Sequence, residues 1–242
     1  MKITFLTLFP EFYQSFLKNK IISRAIDNKL VEIEIVNIRD YSNDKHRHVD
    51  DTPYGGGAGM IMRVDVVSNC IKAVKNANSK VYLMSPKGLP YNQKLAHKLK
   101  NEEHLILLAG HYEGIDDRIK FDLDGEISIG DYILTGGELS SQVIADSIIR
   151  LLDGAISDHS IIEESFENDL LEYPQYTRPV EFNGHKVPEI LLSGNHKLID
   201  KYRLKAAIRD TYKYRPDLLE KHIFTTTEKE LLLEVIDEEN NN

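Results

Sequence analysis

The sequence contains a single cysteine, Cys70, which excludes an internal disulfide and a multi-cysteine zinc site. Cys70 stands in VVSNCIKAVKN, where apolar residues recur at helical spacing, so a small core residue is a simpler reading than a reactive thiol. No run of about 18 uncharged apolar residues occurs, which argues against a membrane-spanning helix. The opening MKITFLTLFPEF meets Pro10 and Glu11 too soon for a secretory leader. Both absences lead us to expect a cytoplasmic protein with no membrane partner. The sequence has no P-loop and no G-x-G-x-x-G fingerprint, so a mononucleotide hydrolase or an NAD enzyme finds little support. Internal repeats and low-complexity segments are missing as well.

Positive charge is in short supply: 30 Lys and Arg stand against 39 Asp and Glu, for a net charge of −9. That average argues against a polyanionic ligand, but phosphate binding depends on local cations. Between Lys201 and Arg215 the segment KYRLKAAIRDTYKYR opposes its basic residues with Asp210 alone and interleaves Tyr202, Tyr212 and Tyr214. Acids gather elsewhere, chiefly from Glu228 to Glu239. A chain of 242 residues, 41% hydrophobic, suits one large domain or one domain with a small partner.

Residues 2–9 read as a buried strand, and residues 11–28 space Phe12, Phe16, Ile21, Ile22, Ala25 and Ile26 as one helix would. Alternation at Val31, Ile33 and Ile35 predicts a second strand, followed by a polar stretch over 39–59. The rhythm then predicts a helix near 64–78, a strand at 80–84, a helix near 92–100, a strand at 104–109, a strand near 127–134 and a helix ending about Leu152. Such alternation implies an α/β fold with a largely parallel sheet. From Asp153 the pattern breaks, so the expected organisation is a domain over 1–153, a flexible linker over 154–179 and a small helical domain over 180–242. Thr227 with Glu230 predicts a capping box ahead of Leu231, Leu232 and Leu233.

Three turns follow predicted strands: Ser85-Pro86-Lys87-Gly88, Gly110-His111-Tyr112-Glu113-Gly114, and Ser128-Ile129-Gly130 with Gly136-Gly137. Open α/β sheets bind ligands beyond the carboxyl ends of their strands, so these turns are expected to line one pocket. Glycine lets main chain approach a ligand closely, which suits a nucleoside held by backbone groups. A further cluster, DDTPYGGGAGM from Asp50, follows Asp44-Lys45-His46-Arg47-His48. It reads either as a flexible loop with solvated charges or as a mobile lid facing RNA. His46, His48, Asp50 and Asp51 imitate metal ligands, but their spacing in such a loop is a weak signal, and no metal site is assigned.

TLFPEF, RDYSNDKHRHVDDTPYGGGAGM, SPKG, GHYEGIDDR, SIGDYILTGGE, EESFENDLLEYPQYTRP and LLSGNHKLIDKYR together resemble the TrmD family of bacterial tRNA (guanine-N1)-methyltransferases, from Phe5 to about Arg215. The resemblance implies transfer of a methyl group from S-adenosylmethionine to N1 of the guanosine just 3′ of the anticodon, tRNA position 37. It further implies a SPOUT-type parallel sheet with a C-terminal trefoil knot, plus a small helical C-terminal domain. A homodimer in which both subunits contact each tRNA also follows from the resemblance, and so does magnesium-assisted activity. Periodicity cannot reveal a knot, and general topology argues against one.

Carried over by position, the resemblance assigns the cofactor to Leu83, Met84, Ser85 and Pro86, to Gly110 and Gly114, and to Ser128, Ile129, Gly130, Tyr132, Leu134, Gly136 and Gly137. These coincide with the three turns. Guanine N1 must lose a proton while charge develops on O6, so a base and a cation are needed. The resemblance gives Arg150 the O6-facing role. The family more often has aspartate before Ser-Phe where this chain has Glu164, a carboxylate on a longer arm, and Asp169 is its local rival as the base. Tyr112 and Glu113 are expected at the guanine edge. Lys45, Arg47, Asp50, Arg178, His196, Lys201, Arg203 and Lys205 are the candidates for tRNA contacts, mostly to the backbone. The family often carries arginine where His111 stands. A noncatalytic tRNA-binding protein and a related methyltransferase acting on ribose 2′-oxygen or ribosomal RNA are the rival readings.

Overall fold

A computed structural model describes residues 1–157 and 163–241, and the chain divides into two units, Met1–Ser157 and Asp158–Asn242. Strands β1 (Lys2–Thr7) and β2 (Glu32–Asn37) are followed by a short pair, β3 (Asp50–Asp51) and β4 (Ile61–Met62), and then by β5 (Ser79–Pro90), β6 (His104–Leu108) and β7 (Gly125–Ser128). The five longer strands form one sheet in the order β2-β1-β6-β5-β7, every neighbouring pair parallel.

The apolar runs of β1 and β6 occupy the centre because both of their faces are covered, as parallel strands require. Ile3, Phe5, Leu105 and Leu107 point into one layer with Tyr13, Ile22, Leu99, Ile144 and Ile148. Leu6, Ile106 and Leu108 point into the other with Val66, Val67, Cys70 and Ile71. Cys70 is fully buried, and burial pushes its thiol up to about 12. It is a core residue, as its helical setting suggests.

The helices of this unit are α1 (Gln14–Leu17), α2 (Lys20–Asp27), α3 (Val64–Val74), α4 (Gln93–Leu99) and α5 (Glu138–Ile149). The single helix expected over 11–28 is instead a 3-10 turn, Pro10–Tyr13, followed by α1 and α2. Asn19 makes the break: its extended backbone and its side chain, which accepts from the Ile21 N–H at 3.0 Å, restart the helix as an N-cap. Strand β5 outruns its expected end at Met84, because after an irregularity Leu89 pairs with Ile127, the residue that Met84 also faces. Conversely, β7 stops at Ser128, where Gly130 turns to φ +149 and leaves Tyr132 and Ile133 exposed in a loop.

In the second unit, β8 (Glu181–Phe182) and β9 (His185–Lys186) form a hairpin not anticipated from the sequence. Its two-residue turn, Asn183-Gly184, takes positive φ at both positions, which matches the twist of the strands. Helices α6 (Glu189–Leu192), α7 (His196–Tyr214), α8 (Pro216–Leu219) and α9 (Thr226–Asn240) complete the unit. Leu170, Ile208, Leu231 and Val235 form its core, each large aliphatic side chain contributing about 1.5–3 kcal/mol on burial. The capping box of α9 uses Thr225 and Glu228, two residues before the expected pair. Both pairs fit the same pattern, and the earlier one completes two reciprocal hydrogen bonds.

Candidate functional site

Beyond the carboxyl ends of β6 and β7, and beside the irregularity within β5, lies a cavity of about 500 Å³. Its wall is built from Leu83–Lys87, from Gly110–Ile115 and from Ser128 through Gly137, so the three turns meet in one place. Every residue expected at the cofactor lies in that wall. The sequence folds this way because small residues let the turns lie main chain on main chain. A Cβ on Gly137 would stand 2.7 Å from Ala109 Cα, and the Gly137 N–H donates to the Gly110 carbonyl at 2.9 Å. A Cβ on Gly88 would lie 2.5 Å from the Ile127 carbonyl carbon, which locks the far part of β5 onto β7.

Polar side chains stand among the apolar ones of the cavity wall. His111 packs its ring on Phe9 at 4.7 Å and edge-on to Tyr112 at 5.4 Å, and its Nδ1 is buried without a hydrogen-bond partner among the described residues. Tyr112, at φ +58, and Glu113 line the rim and are exposed. The Glu113 N–H donates to the Met60 carbonyl at 3.1 Å, while Met62 N–H donates to the Gly114 carbonyl at 2.9 Å. The glycine-rich cluster is therefore fastened to the cavity wall at its end.

The wall also holds Lys87, from a turn expected to line the pocket, and Asp117, Lys120 and Thr135, which the sequence reading did not select. Glu138, behind it, was missed too. The residue is 4% exposed, and its carboxylate accepts from Thr7 Oγ at 2.8 Å in the first turn of α5, where the helix N-terminus favours negative charge. The signal available in the sequence was an acid directly after a Gly-Gly turn at a helix start.

The remaining candidates of the first unit lie outside the cavity. Lys45 and Arg47 are exposed, and Arg47 pairs with Asp40 at 3.1 Å. Asp50 sits in β3, half-buried. Arg150 caps the C-terminus of α5, its N–H donating to the Asp146 carbonyl at 3.1 Å. Burial raises the Asp146 carboxyl above its ordinary range, an effect that Arg150 partly opposes.

Glu164 and Asp169 belong to the second unit. The turn that carries them is ordered by Phe166 N–H to the Leu170 carbonyl at 2.8 Å, Glu172 N–H to Ser165 Oγ at 2.9 Å, and Leu171 N–H to Thr211 Oγ at 2.9 Å. Phe166 and Asp169 take positive φ. Within the stretch read as a linker, Leu170 is thus buried against α7 and α9. Among the cations, Arg178, His196 and Lys201 are exposed. Arg203 lies over the Tyr173 ring at 4.8 Å. Lys205 reaches Glu234 and Glu238, each at 2.7 Å, and Arg209 also pairs with Glu238.

Among the described residues, no group of three His, Cys, Asp or Glu converges as a metal site, and no helix is long and apolar enough to cross a membrane.

Residues 1–221 match the family model described as tRNA (Guanine-1)-methyltransferase TrmD. A tRNA (guanine-N(1)-)-methyltransferase of Malacoplasma penetrans is 55% identical over 223 residues, covering 92% of this chain and 99% of that protein. One from Clostridium botulinum is 52% identical over 96% of this chain and 98% of its own. The same enzyme of Dictyoglomus turgidum is 48% identical over 97% of this chain and 96% of its own. With a family model spanning both units and relatives matched almost end to end, the chain belongs to the TrmD family of tRNA (guanine-N1)-methyltransferases.

Proposed function

We propose that this chain methylates N1 of the guanosine immediately 3′ of the anticodon in tRNA, with S-adenosylmethionine as the donor. The observation that carries the reading is the meeting of three separate family motifs in one cavity of about 500 Å³, within the usual range for small-molecule sites. The cavity suits a nucleoside cofactor: Gly110, Gly136 and Gly137 bring main chain to its wall, and Leu83, Met84 and Ile129 offer apolar surface. S-adenosylmethionine, when bound, supplies an electrophilic methyl group. Leu83, Ser85, Gly110, Ser128 and Gly130 would hold it largely by backbone groups, and Tyr132 and Leu134 would cover it.

Arg150 stabilises the negative charge that develops on O6, and Glu164 accepts the N1 proton, with Asp169 as its alternative. A base in an anticodon loop is reached more easily than one in a duplex, which suits chemistry on the pairing edge. The exposed cations Lys45, Arg47, Arg178 and His196 contact the tRNA backbone. Residues 180–242 act as the tRNA-binding domain, with Leu170 of the expected linker 154–179 packed into its core. Magnesium assists the transfer in this reading, and the described residues include no cluster of three His, Cys, Asp or Glu to which the ion can be assigned.

The C-terminal part of the first domain is tied into a trefoil knot in this reading. The protein is a homodimer in which both subunits contact each tRNA. Leu139 and Val143, one helical turn apart on α5 and about half exposed, support such a face.

The deciding experiment measures transfer of labelled methyl from S-adenosylmethionine to a tRNA transcript with guanosine 3′ of the anticodon, beside the same tRNA with adenosine there. Transfer to the guanosine tRNA alone, lost in Glu164→Gln, is expected. Transfer that survives Glu164→Gln moves the base to Asp169, whereas tRNA binding without any transfer points to a noncatalytic binding protein.

A further inference from the structure

Thr211 is fully buried within α7. Threonine is a mediocre helix former, and at a buried position its hydroxyl has to be satisfied, so valine would be the simpler choice for packing alone. The hydroxyl of Thr211 is used twice. It donates to the Ala207 carbonyl one turn earlier at 2.7 Å, and it accepts from the Leu171 N–H at 2.9 Å. The first bond fixes the hydroxyl, and the second ties α7 to a segment 40 residues away in the chain. Glu172, next to Leu171, donates its N–H to Ser165 Oγ at 2.9 Å, and the Phe166 N–H donates to the Leu170 carbonyl at 2.8 Å. The bonds thus run in series from α7 through Leu171 and Glu172 to Ser165, the neighbour of Glu164. Phe166 and Asp169 hold φ +75 and +57, a backbone that residues other than glycine keep only where their surroundings enforce it. Leu170 packs the turn against the core of this unit, and Arg215, which follows α7, lies over the Phe166 ring at 5.7 Å. Apolar burial is non-directional, so the register of the turn comes from the bond to Thr211.

We propose that Thr211 is a positioning residue for methyl transfer: its hydroxyl fixes the 164–172 turn on α7 and thereby directs the carboxylate that accepts the N1 proton. The inference rests on the proposed function, in which that carboxylate is Glu164 or Asp169, and it holds for either because both stand on the turn. A base must come within about 3 Å of the proton it takes. Loss of register therefore acts on the chemical step, whereas S-adenosylmethionine and the tRNA backbone are held by other residues.

The test measures kcat and KM for a tRNA transcript with guanosine 3′ of the anticodon, beside tRNA affinity and the unfolding midpoint. Thr211→Val keeps the shape and leaves the Leu171 N–H without its acceptor. It is expected to lower kcat by about tenfold or more, the scale of a small misplacement of a reacting group, with KM and tRNA affinity within about twofold of the unmutated protein. Thr211→Ala, which bares the same N–H by a different route, should show the same split, so the outcome does not depend on one variant folding. Thr211→Ser keeps the hydroxyl and should recover most of the loss. In the unmutated protein the Leu171 amide should be protected from hydrogen exchange, a readout independent of activity. The inference is overturned by an unchanged kcat in Thr211→Val and Thr211→Ala, by a loss that Thr211→Ser does not recover, by a tRNA affinity that falls in step with kcat, or by a Leu171 amide that exchanges freely. Absence of any transfer by the unmutated protein, with Leu171 protected, would instead overturn the functional reading on which the inference rests.

Discussion

Thr7 and Glu138 are 131 residues apart in the chain, yet the Thr7 hydroxyl donates to the Glu138 carboxylate at 2.8 Å, joining the end of β1 to the first turn of α5. The Thr7 Oγ also accepts from the Phe9 N–H at 2.9 Å, so one hydroxyl fixes both the exit of the first strand and a buried acid. Replacing Thr7 by valine keeps the shape but removes the donor. An unsatisfied buried polar group costs about 1–3 kcal/mol. Thr7→Val is expected to lower the unfolding midpoint by several degrees, and because α5 begins directly after Gly136-Gly137, to weaken binding of S-adenosylmethionine by calorimetry. A midpoint equal to that of the unmutated protein would show that the bond contributes nothing.

Gly88→Ala and Gly114→Ala separate collision from strain. At Gly88 the added carbon meets main chain, 2.5 Å from the carbonyl carbons of both Glu126 and Ile127, which cannot swing aside. Overpacking of this kind costs about 1–3 kcal/mol and sometimes more. At Gly114, φ +120, the added carbon meets nothing within 4 Å, and only backbone strain opposes it. Thermal unfolding should place Gly88→Ala well below Gly114→Ala, and the reverse order would contradict the main-chain packing described for β5 and β7.

These glycines also explain which parts of the molecule could be read in the sequence. The strand and helix rhythm, and the three polar turns at strand ends, depend on neighbours in the chain, so β1, β6, α4 and the cavity loops were legible. The extension of β5 to Pro90 was not, because Ser85-Pro86-Lys87-Gly88 has the composition of a turn and the strand beyond it is held in the sheet by Ile127 and Ser128, far along the chain. Glu138 was missed for the same reason: an acid at a helix start looks solvated until Thr7 is folded against it. The break at Asn19 was missed because the apolar spacing of 11–28 continues across it, while the cap depends on a single side-chain bond.

His104 predicts a pH effect on stability. It is buried at the opposite end of the strands from the cavity, with Nε2 against Thr4 Oγ at 2.9 Å and Nδ1 against Ser79 Oγ at 2.7 Å. Burial holds its pKa below the ordinary 6.5, with Lys2 assisting and Glu34 and Glu32 opposing. The unfolded chain therefore binds more protons than the folded one just below that value, so stability rises with pH across this range. The contribution is full above 6.5 and is lost as pH falls through 6.5 toward the lowered folded value. Unfolding midpoints should drop between neutral and mildly acidic pH, and the drop should be shallower in His104→Gln. Equal slopes would remove His104 as the cause.

Lys201 and Lys205 stand one helical turn apart on α7 but have different surroundings. Lys205 is committed to Glu234 and Glu238 of α9, which raise its pKa, and it is mostly covered. Lys201 is exposed. Within the proposed function, a cation free to meet a phosphate releases counterions, and each such contact changes the slope of log K against log salt by about 0.7–0.9. Lys201→Gln is therefore expected to weaken tRNA binding and flatten the salt dependence by roughly one contact. Lys205→Gln should leave the slope unchanged while lowering the unfolding midpoint, because it removes the ion pair of Glu234 and leaves Glu238 with Arg209 as its ion-pair partner. If the slope instead falls only in Lys205→Gln, the α7–α9 ion pairs open on tRNA binding, and the recognition face includes the side of α7 that these acids cover.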